Sequence, residues 1–389
     1  MKNLNPTKIA KLSYLDSIRG LAAVIVVLGH SKDAFIQKKE YFSISDFFNH
    51  FFEFCFISGH FSVCIFFVLS GFVLSLGFFN NYDYNFILKQ SIKRFPRLFL
   101  PVIFTSVLYW FAKEQSWFFN SEVVNITHST WFVKFWKESY TIKQLILRCG
   151  YDLFLFNDHG FLKNINFCLW TMPIELKYSF LLFLVICFIR NSFMAIVVNT
   201  ILIFTLVMYA DTLFIYFLGF LLGINISFLY TNKIFNLNSF GRSALLVFGL
   251  LLGCNLDLIF NFKVQYLTVS TFTITLNLIG ASMIIIAILS SEKMQNILNN
   301  KILLYLGKIS FSLYLIHPLV IGTIVSRLYL YLNNSFSYDF TYITVMIISL
   351  ILSLLLGDII YRFIDKPSIK FAEIIYKIFN TFRKKIFKS

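Results

Sequence analysis

Charged residues are scarce in this chain, and their scarcity excludes an ordinary water-soluble domain. Only 14% of the 389 residues are charged, whereas a soluble domain has about 25%. Hydrophobic residues make up 58%, and the mean hydropathy is +0.74. This composition predicts an integral membrane protein whose chain crosses the bilayer many times.

Several signatures of metal and nucleotide chemistry are missing as well. The six cysteines include no Cys-x-x-Cys pair, and most lie in apolar runs, which favours small buried hydrophobic side chains. We find no zinc-binding His/Cys spacing, no Gly-rich phosphate loop and no Ser-centred nucleophile elbow. We therefore expect no metal. The net charge of +15 does not indicate nucleic acid, because Lys and Arg gather at the ends of apolar runs.

Ten apolar runs predict an all-α, polytopic bundle of about ten transmembrane helices, each needing about 20 residues. The runs are 14–34, 55–79, 97–113, 168–189, 193–210, 211–230, 242–261, 268–290, 309–331 and 340–362. The runs next to 193–210 are separated so briefly that the count there stays open. The first run lacks a small-x-small cleavage site, which favours an uncleaved span over a signal peptide.

The placement of basic residues predicts the orientation. An even number of spans with both termini in the cytoplasm puts most Lys and Arg inside, including the basic tail 371–389. Segment 113–167 is then the one long outer loop, and it is rich in Trp. It is either a lid or acceptor platform over the outer mouth of the bundle, or an interfacial aromatic belt.

The first span carries polar groups that lipid would penalise. Arg19 and His30 are eleven residues apart, so they share one helix face and lie roughly 16 Å apart along the axis. Asp16 is close enough on that face to pair with Arg19, and Gly20 permits close approach of another helix. A neutral imidazole can accept a proton at physiological pH, so His30 is a candidate general base; a purely structural histidine is the alternative.

A second constellation is Arg94-Phe-Pro-Arg97, which we place at the inner mouth between the second and third spans. Two guanidinium groups three residues apart can converge on one phosphate-rich ligand. A positive-inside anchor is the alternative. Glu175 lies near the outer end of a later span and needs a partner, for which a structural ion pair with Lys or Arg is one possibility.

A third constellation lies near the C-terminus. Ser310, Tyr314 and His317 recur at spacings of four and three, which places them on one helix face. Tyr314 is favoured as a pore-lining residue, whereas His317 is interpreted as structural. Asp358 and Arg362 are an i,i+4 pair that we expect to lock the bundle as a salt bridge.

Taken in order, these segments resemble the acyltransferase-3 family of integral membrane O-acyltransferases. The resemblance is carried by Leu15-Asp-Ser-Ile-Arg-Gly-Leu-Ala-Ala23 with its following His, the Arg-x-x-Arg pattern, Trp170-Thr-Met-Pro-Ile-Glu175, Gly307-Lys-Ile-Ser-Phe-Ser-Leu-Tyr-Leu-Ile-His-Pro318 and Tyr361-Arg-Phe-Ile-Asp-Lys-Pro367. Thr171 replaces the usual Ser, and Phe311 the usual Tyr. The motifs cover nearly the whole chain, and the resemblance implies one transmembrane acyltransferase domain over 1–370.

The resemblance also implies an activity. The enzyme would transfer an acyl group, most simply acetyl, from acyl-coenzyme A to a hydroxyl of a cell-surface glycan, such as a lipopolysaccharide or exopolysaccharide, or of its lipid-linked precursor. It would lie in the cytoplasmic (inner) membrane of a bacterium, in contact with membrane lipids. The implied roles are catalysis for His30 and Glu175, donor binding for Arg19, Arg94 and Arg97, and substrate binding or pore lining for Asp16 and Tyr314.

Two questions stay open at this point. His30 can act as general base on the acceptor hydroxyl or as a transient acyl-imidazole carrier. A transporter or flippase of a lipid-linked glycan also places polar residues inside a helix bundle. The Arg19–His30 face and the absence of recognisable inverted repeats favour the enzyme.

Overall fold

The computed structural model describes residues 12–36, 58–155, 159–189, 203, 213–254 and 269–386. Within these ranges the chain is helical and contains no β-strand, which confirms the predicted all-α membrane bundle. The α-helices are α1 Tyr14–Phe35, α2 Gly59–Asn81, α3 Tyr84–Glu114, α4 Asn120–Thr127, α5 Ile142–Leu147, α6 Leu153–Leu155, α7 His159–Ile165, α8 Thr171–Cys187, α9 Phe217–Thr231, α10 Ser239–Gly253, α11 Val269–Leu289, α12 Glu292–Leu298, α13 Lys301–Val320, α14 Ser326–Asn333, α15 Tyr338–Ile360 and α16 Lys366–Ile386.

Among the described residues, 8 helical runs are long and apolar enough to cross a membrane. They correspond to eight of the predicted spans, and the 15-residue α10 corresponds to the beginning of 242–261. The predicted span 193–210 lies outside the described residues apart from residue 203. The number of spans and the cytoplasmic placement of both termini therefore stay predictions.

The chain divides into two compact units. Unit 1 comprises Met1–Ala22, Phe52–Ser91 and Tyr178–Gly307. Here the start of α1 lies directly against the start of α13, because a Cβ atom on Gly20 would meet the backbone of Gly307. This confirms that Gly20 permits close helix approach, as small residues do in membrane bundles. The Ser17 hydroxyl adds a 2.6 Å bond to the carbonyl of Leu298.

Unit 2 comprises Ala23–Phe51, Ile92–Lys177 and Lys308–Ser389. Its last helical run, Tyr338–Ile386, has 49 residues, or about 73 Å, which exceeds the hydrocarbon core of about 30 Å. The apolar α15 alone, about 34 Å, is long enough to cross, so the basic α16 extends beyond the bilayer. The predicted last span, 340–362, agrees with α15, and most of the tail 371–389 is helical.

Helix α3 differs from the prediction, which begins the third span at residue 97. The helix already begins at Tyr84, so Arg94 and Arg97 lie inside it, with Pro96 and Pro101. A proline inside a helix leaves the carbonyl four residues earlier without its usual donor. For Pro101 that carbonyl is on Arg97, and the Ser368 hydroxyl of α16 lies 3.5 Å from it. That hydroxyl donates to the Asp365 carbonyl at 2.7 Å, so the Arg97 carbonyl is only its secondary acceptor.

Candidate functional site

The imidazole of His30 is held between other rings inside unit 2. The Trp131 ring stacks on it, with centroids 5.2 Å apart and planes at 20°. The His317 ring is also 5.2 Å away and nearly parallel, at 11°. Phe167 contacts it edge-on at 5.1 Å. These contacts fix both the position and the plane of the His30 ring.

A chain of hydrogen bonds sets the protonation of this histidine pair. The Nδ1 atom of His317 lies 3.1 Å from the Leu313 carbonyl, which can only accept, so Nδ1 carries a proton. In a neutral ring, Nε2 of His317 then has the lone pair, and His30 Nδ1, 2.9 Å away, donates to it. The inferred tautomer leaves Nε2 of His30 with a lone pair that can accept a proton from a substrate.

Cys168 lies beside both histidines. Its Sγ atom is 3.6 Å from His317 Nε2 and 3.8 Å from His30 Nδ1, and the residue is fully buried. The short 3₁₀ segment Phe167–Trp170 that leads into α8 carries it. Its backbone N–H donates to the Asn166 side chain at 2.9 Å, and its carbonyl accepts from the Tyr314 hydroxyl at 2.9 Å. The backbone of Cys168 is therefore held on both sides of its Cα atom.

Two members of this cluster are not predicted from the sequence as functional. Cys168 is counted there with the small buried hydrophobic residues, and His317 is interpreted as structural. The available signals were that Cys168 lies two residues before the Trp170 motif, and that His317 shares the helix face of Tyr314. That shared face is confirmed for Tyr314 and His317, because both side chains contact Cys168.

The cluster also bears on metal binding. The nitrogen atoms of His30 and His317 and the sulfur atom of Cys168 all lie within 4.8 Å of one another, a spacing that a metal ion could bridge. Imidazole and thiolate are the ligands that zinc prefers. The expectation that the protein has no metal therefore stays a prediction.

Tyr314 forms hydrogen bonds with the chain segment that carries Cys168. Its hydroxyl donates to the Cys168 carbonyl and lies 3.0 Å from the Thr171 hydroxyl. The geometry thus gives Tyr314 a positioning role, and its predicted role in lining the substrate path stays a prediction.

Glu175 and Arg94 form an ion pair that joins α8 to α3. Both side chains are only 14% exposed. The structural ion pair that the sequence leaves open for Glu175 is therefore present. The ion pair occupies the Arg94 guanidinium group, which is predicted to bind the acyl donor. The predicted roles of Glu175 at His30 and of Arg94 in donor binding stay predictions.

Breaking this ion pair on one side should destabilise the protein. Glu175→Ala or Arg94→Ala leaves a largely buried charge without its partner, at a cost of about 3–5 kcal/mol. We expect lower abundance in membranes and a lower melting temperature in detergent. The exchanged pair Arg94→Glu with Glu175→Arg should recover part of the loss. Single variants as stable as wild type would show that the pair contributes no net stability.

The other basic residues differ in exposure. Arg97 is exposed, and its charge attracts the buried carboxylate of Asp365. Arg19 in unit 1 forms the predicted salt bridge with Asp16, at 3.6 Å. Arg362 forms the predicted salt bridge with Asp358 at 2.9 Å and is 64% exposed, and its predicted role in locking the bundle stays a prediction.

Segment 113–167 packs onto the end of α1. The Ser129 hydroxyl donates to the Asp33 carbonyl at 2.6 Å, and Trp131 stacks on His30. Trp136 is only 2% exposed, whereas Trp117 is 50% exposed, so the tryptophans of the segment have different environments. Near the middle of segment 113–167, burial raises the pKa of the Tyr140 hydroxyl, which donates to the Glu138 carboxylate at 2.7 Å. At least Trp131 belongs to the candidate site, rather than to an interfacial belt alone.

The comparisons with known proteins identify one family. A family model described as an acyltransferase domain matches residues 12–362 of the chain. Neither the curated proteins nor the solved structures give a match.

Proposed function

Because the chain belongs to the acyltransferase-3 family, with its domain spanning residues 12–362, we propose that it is a membrane O-acyltransferase acting on a glycan. The acyl group, most simply acetyl, passes from acyl-coenzyme A to a hydroxyl of a cell-surface glycan or its lipid-linked precursor. The proposed location is the cytoplasmic membrane of a bacterium.

One observation carries this proposal: the hydrogen-bond chain from Leu313 through His317 to His30. It supports a role for His30 as general base, since Nε2 is the nitrogen atom left to accept the hydroxyl proton. The same chain stabilises the imidazolium that forms, because the Nδ1 proton of His30 remains hydrogen-bonded to His317. The role of His317 resembles that of an orienting residue in a catalytic triad.

The acceptor is proposed to reach His30 past segment 113–167. Aromatic rings offer flat apolar faces on which a sugar ring can lie, and Trp131 is already stacked on the imidazole. Glu175 is proposed to act on the same reaction indirectly, through its ion pair with Arg94.

The donor is proposed to bind from the cytoplasm through its phosphate groups. Arg97 is the best placed of the proposed residues, because it is exposed while Arg94 is held by Glu175. Guanidinium groups bind phosphate with two parallel hydrogen bonds. Arg19 stays a proposed donor contact in unit 1.

Arg97→Ala should weaken the affinity for acetyl-coenzyme A by about tenfold or more, because a charge-assisted contact is lost. Arg97→Lys should recover it only in part, since an ammonium group cannot make the forked contact. Titration of the purified variants with acetyl-coenzyme A measures this. Lys93→Ala is the matched control, because Lys93 pairs with Glu373 at 2.5 Å. Unchanged donor affinity in Arg97→Ala would assign this residue to membrane topology alone.

The proposed function as a whole is tested by deleting the gene and analysing the surface polysaccharide. We expect base-labile esters to be lost and to return with the wild-type gene. A polysaccharide with unchanged ester content would contradict the proposal.

A further inference from the structure

We propose that Cys168 carries the acyl group as a thioester between the donor and the acceptor. This inference rests on the proposed function and adds a covalent step to it. The single direct transfer, with His30 as base, is the alternative.

The geometry is that of a cysteine nucleophile with a base. The Cys168 sulfur lies 3.6 Å from the Nε2 atom of His317, within reach of an S–H···N bond. The Leu313 carbonyl holds the Nδ1 proton of His317, so its Nε2 lone pair faces both the thiol and His30 Nδ1. It accepts from the thiol in the tautomer in which His30 carries its proton on Nε2, and the second half-reaction uses the other tautomer, with the proton on Nδ1. A nucleophile beside a base that a third group orients is the arrangement used for covalent catalysis.

The backbone that carries the thiol is also held by hydrogen bonds and not by packing alone. Asn166 accepts from the Cys168 N–H at 2.9 Å, and its amide group donates to the Leu315 carbonyl on α13 at 2.9 Å. Tyr314, also on α13, donates to the Cys168 carbonyl. Thus the helix that carries His317 also positions the residue that His317 would deprotonate. Catalytic groups need this kind of support from neighbouring hydrogen bonds.

The first half-reaction is a thioester exchange. His317 Nε2 takes the proton of the Cys168 thiol while the sulfur attacks the carbonyl carbon of acyl-coenzyme A. The bond from that carbon to the coenzyme A sulfur breaks, and the leaving thiolate takes the proton from His317. One thioester replaces another, so the step needs no oxidant, reductant or further reactant.

The second half-reaction transfers the acyl group to the acceptor. His30 Nε2 takes the proton of the glycan hydroxyl, whose oxygen attacks the carbonyl carbon held on Cys168. The bond to the Cys168 sulfur breaks, and the departing thiolate regains a proton through the hydrogen-bonded His30–His317 pair. The products are the O-acyl glycan and the free thiol, so each half-reaction uses one of the two histidines as base.

The test is to incubate the purified full-length protein with labelled acetyl-coenzyme A in the absence of acceptor. We expect one acetyl group per chain, removed by neutral hydroxylamine and mapped by mass spectrometry to Cys168. Cys168→Ala should lose this label and slow glycan acylation about 100-fold or more. Cys64→Ala and Cys149→Ala are matched controls, because both thiols are free and buried, and they should label like wild type.

Two further variants keep the test decisive. Cys168→Ser preserves the volume of the side chain and should form an oxygen ester that neutral hydroxylamine does not remove. His30→Gln should accumulate the acyl-Cys168 species, because only the second half-reaction needs His30.

Four outcomes would overturn the proposal. Glycan acylation at the wild-type rate in Cys168→Ala, or a label mapped to His30, would show that the thiol is not the carrier, while leaving the proposed function intact. One equivalent of zinc in the purified wild type, absent from Cys168→Ala, would assign the cluster to a metal instead. Wild-type protein that forms neither a label nor acylated glycan would overturn the proposed function as well.

Discussion

His30→Gln is expected to reduce acyl transfer to the glycan by about 10²–10⁴-fold, the usual contribution of a general base. Glutamine has a similar volume and a polar end group, so the position against the Trp131 face and beside His317 stays filled. Its amide nitrogen has no lone pair that can take a proton from a hydroxyl. Transfer of labelled acetyl to the glycan in isolated membranes, normalised to protein abundance, measures the effect.

The matched control for this variant is His60→Gln. His60 is also a half-buried histidine with polar partners, at 2.6 Å from the Tyr216 hydroxyl and 3.1 Å from the Asn277 amide. It belongs to unit 1, whereas the residues of the candidate site belong to unit 2. We expect its acyl transfer to stay within a few fold of wild type. A His30→Gln enzyme as active as this control would show that His30 is not the base.

His317→Phe is expected to have an effect of similar size, a loss of about 10²–10⁴-fold. Phenylalanine fills the site but cannot accept the Nδ1 proton of His30, so the tautomer that leaves Nε2 free is no longer enforced. His317→Gln should recover part of the activity, because its side-chain oxygen can accept that proton. The kcat of the purified variants measures this difference.

A merely structural His317 would give a different pattern. His317 is fully buried, so replacing it can lower stability by itself. In that case the activity lost by each variant would follow the decrease in its melting temperature relative to wild type. Equal kcat values for His317→Phe and wild type would remove His317 from the reaction.

The features within single helices could be predicted from the sequence. The start of α1 is an example, because the helical repeat alone places Asp16 beside Arg19 and allows Gly20 to face another backbone. The common face of Tyr314 and His317 follows in the same way. In the last run, the change from apolar α15 to basic α16 marks the end of the span. Each of these depends on neighbours a few residues apart.

The contacts between distant segments could not be predicted. His30 and His317 are 287 residues apart, and Cys168 lies 149 residues from His317. A spacing rule cannot connect such positions, so Cys168 resembled an ordinary buried thiol. The Arg94–Glu175 pair is of the same kind, because it joins residues 81 positions apart.

A transporter of lipid-linked glycan would need one site with alternating access. The proposed enzyme instead needs one entrance for the donor and another for the acceptor, both leading to His30. The two functions can therefore be distinguished by the side of the membrane from which each substrate reaches the site.

The most direct measurement of acyl transfer uses the purified protein in sealed vesicles, with labelled acetyl-coenzyme A on the cytoplasmic side and glycan acceptor on the other. We expect labelled ester on the glycan with wild-type protein and formation of the ester slowed by about 100-fold or more with His30→Gln. Glycan that crosses the membrane without being esterified would contradict the acyltransferase function and establish transport instead.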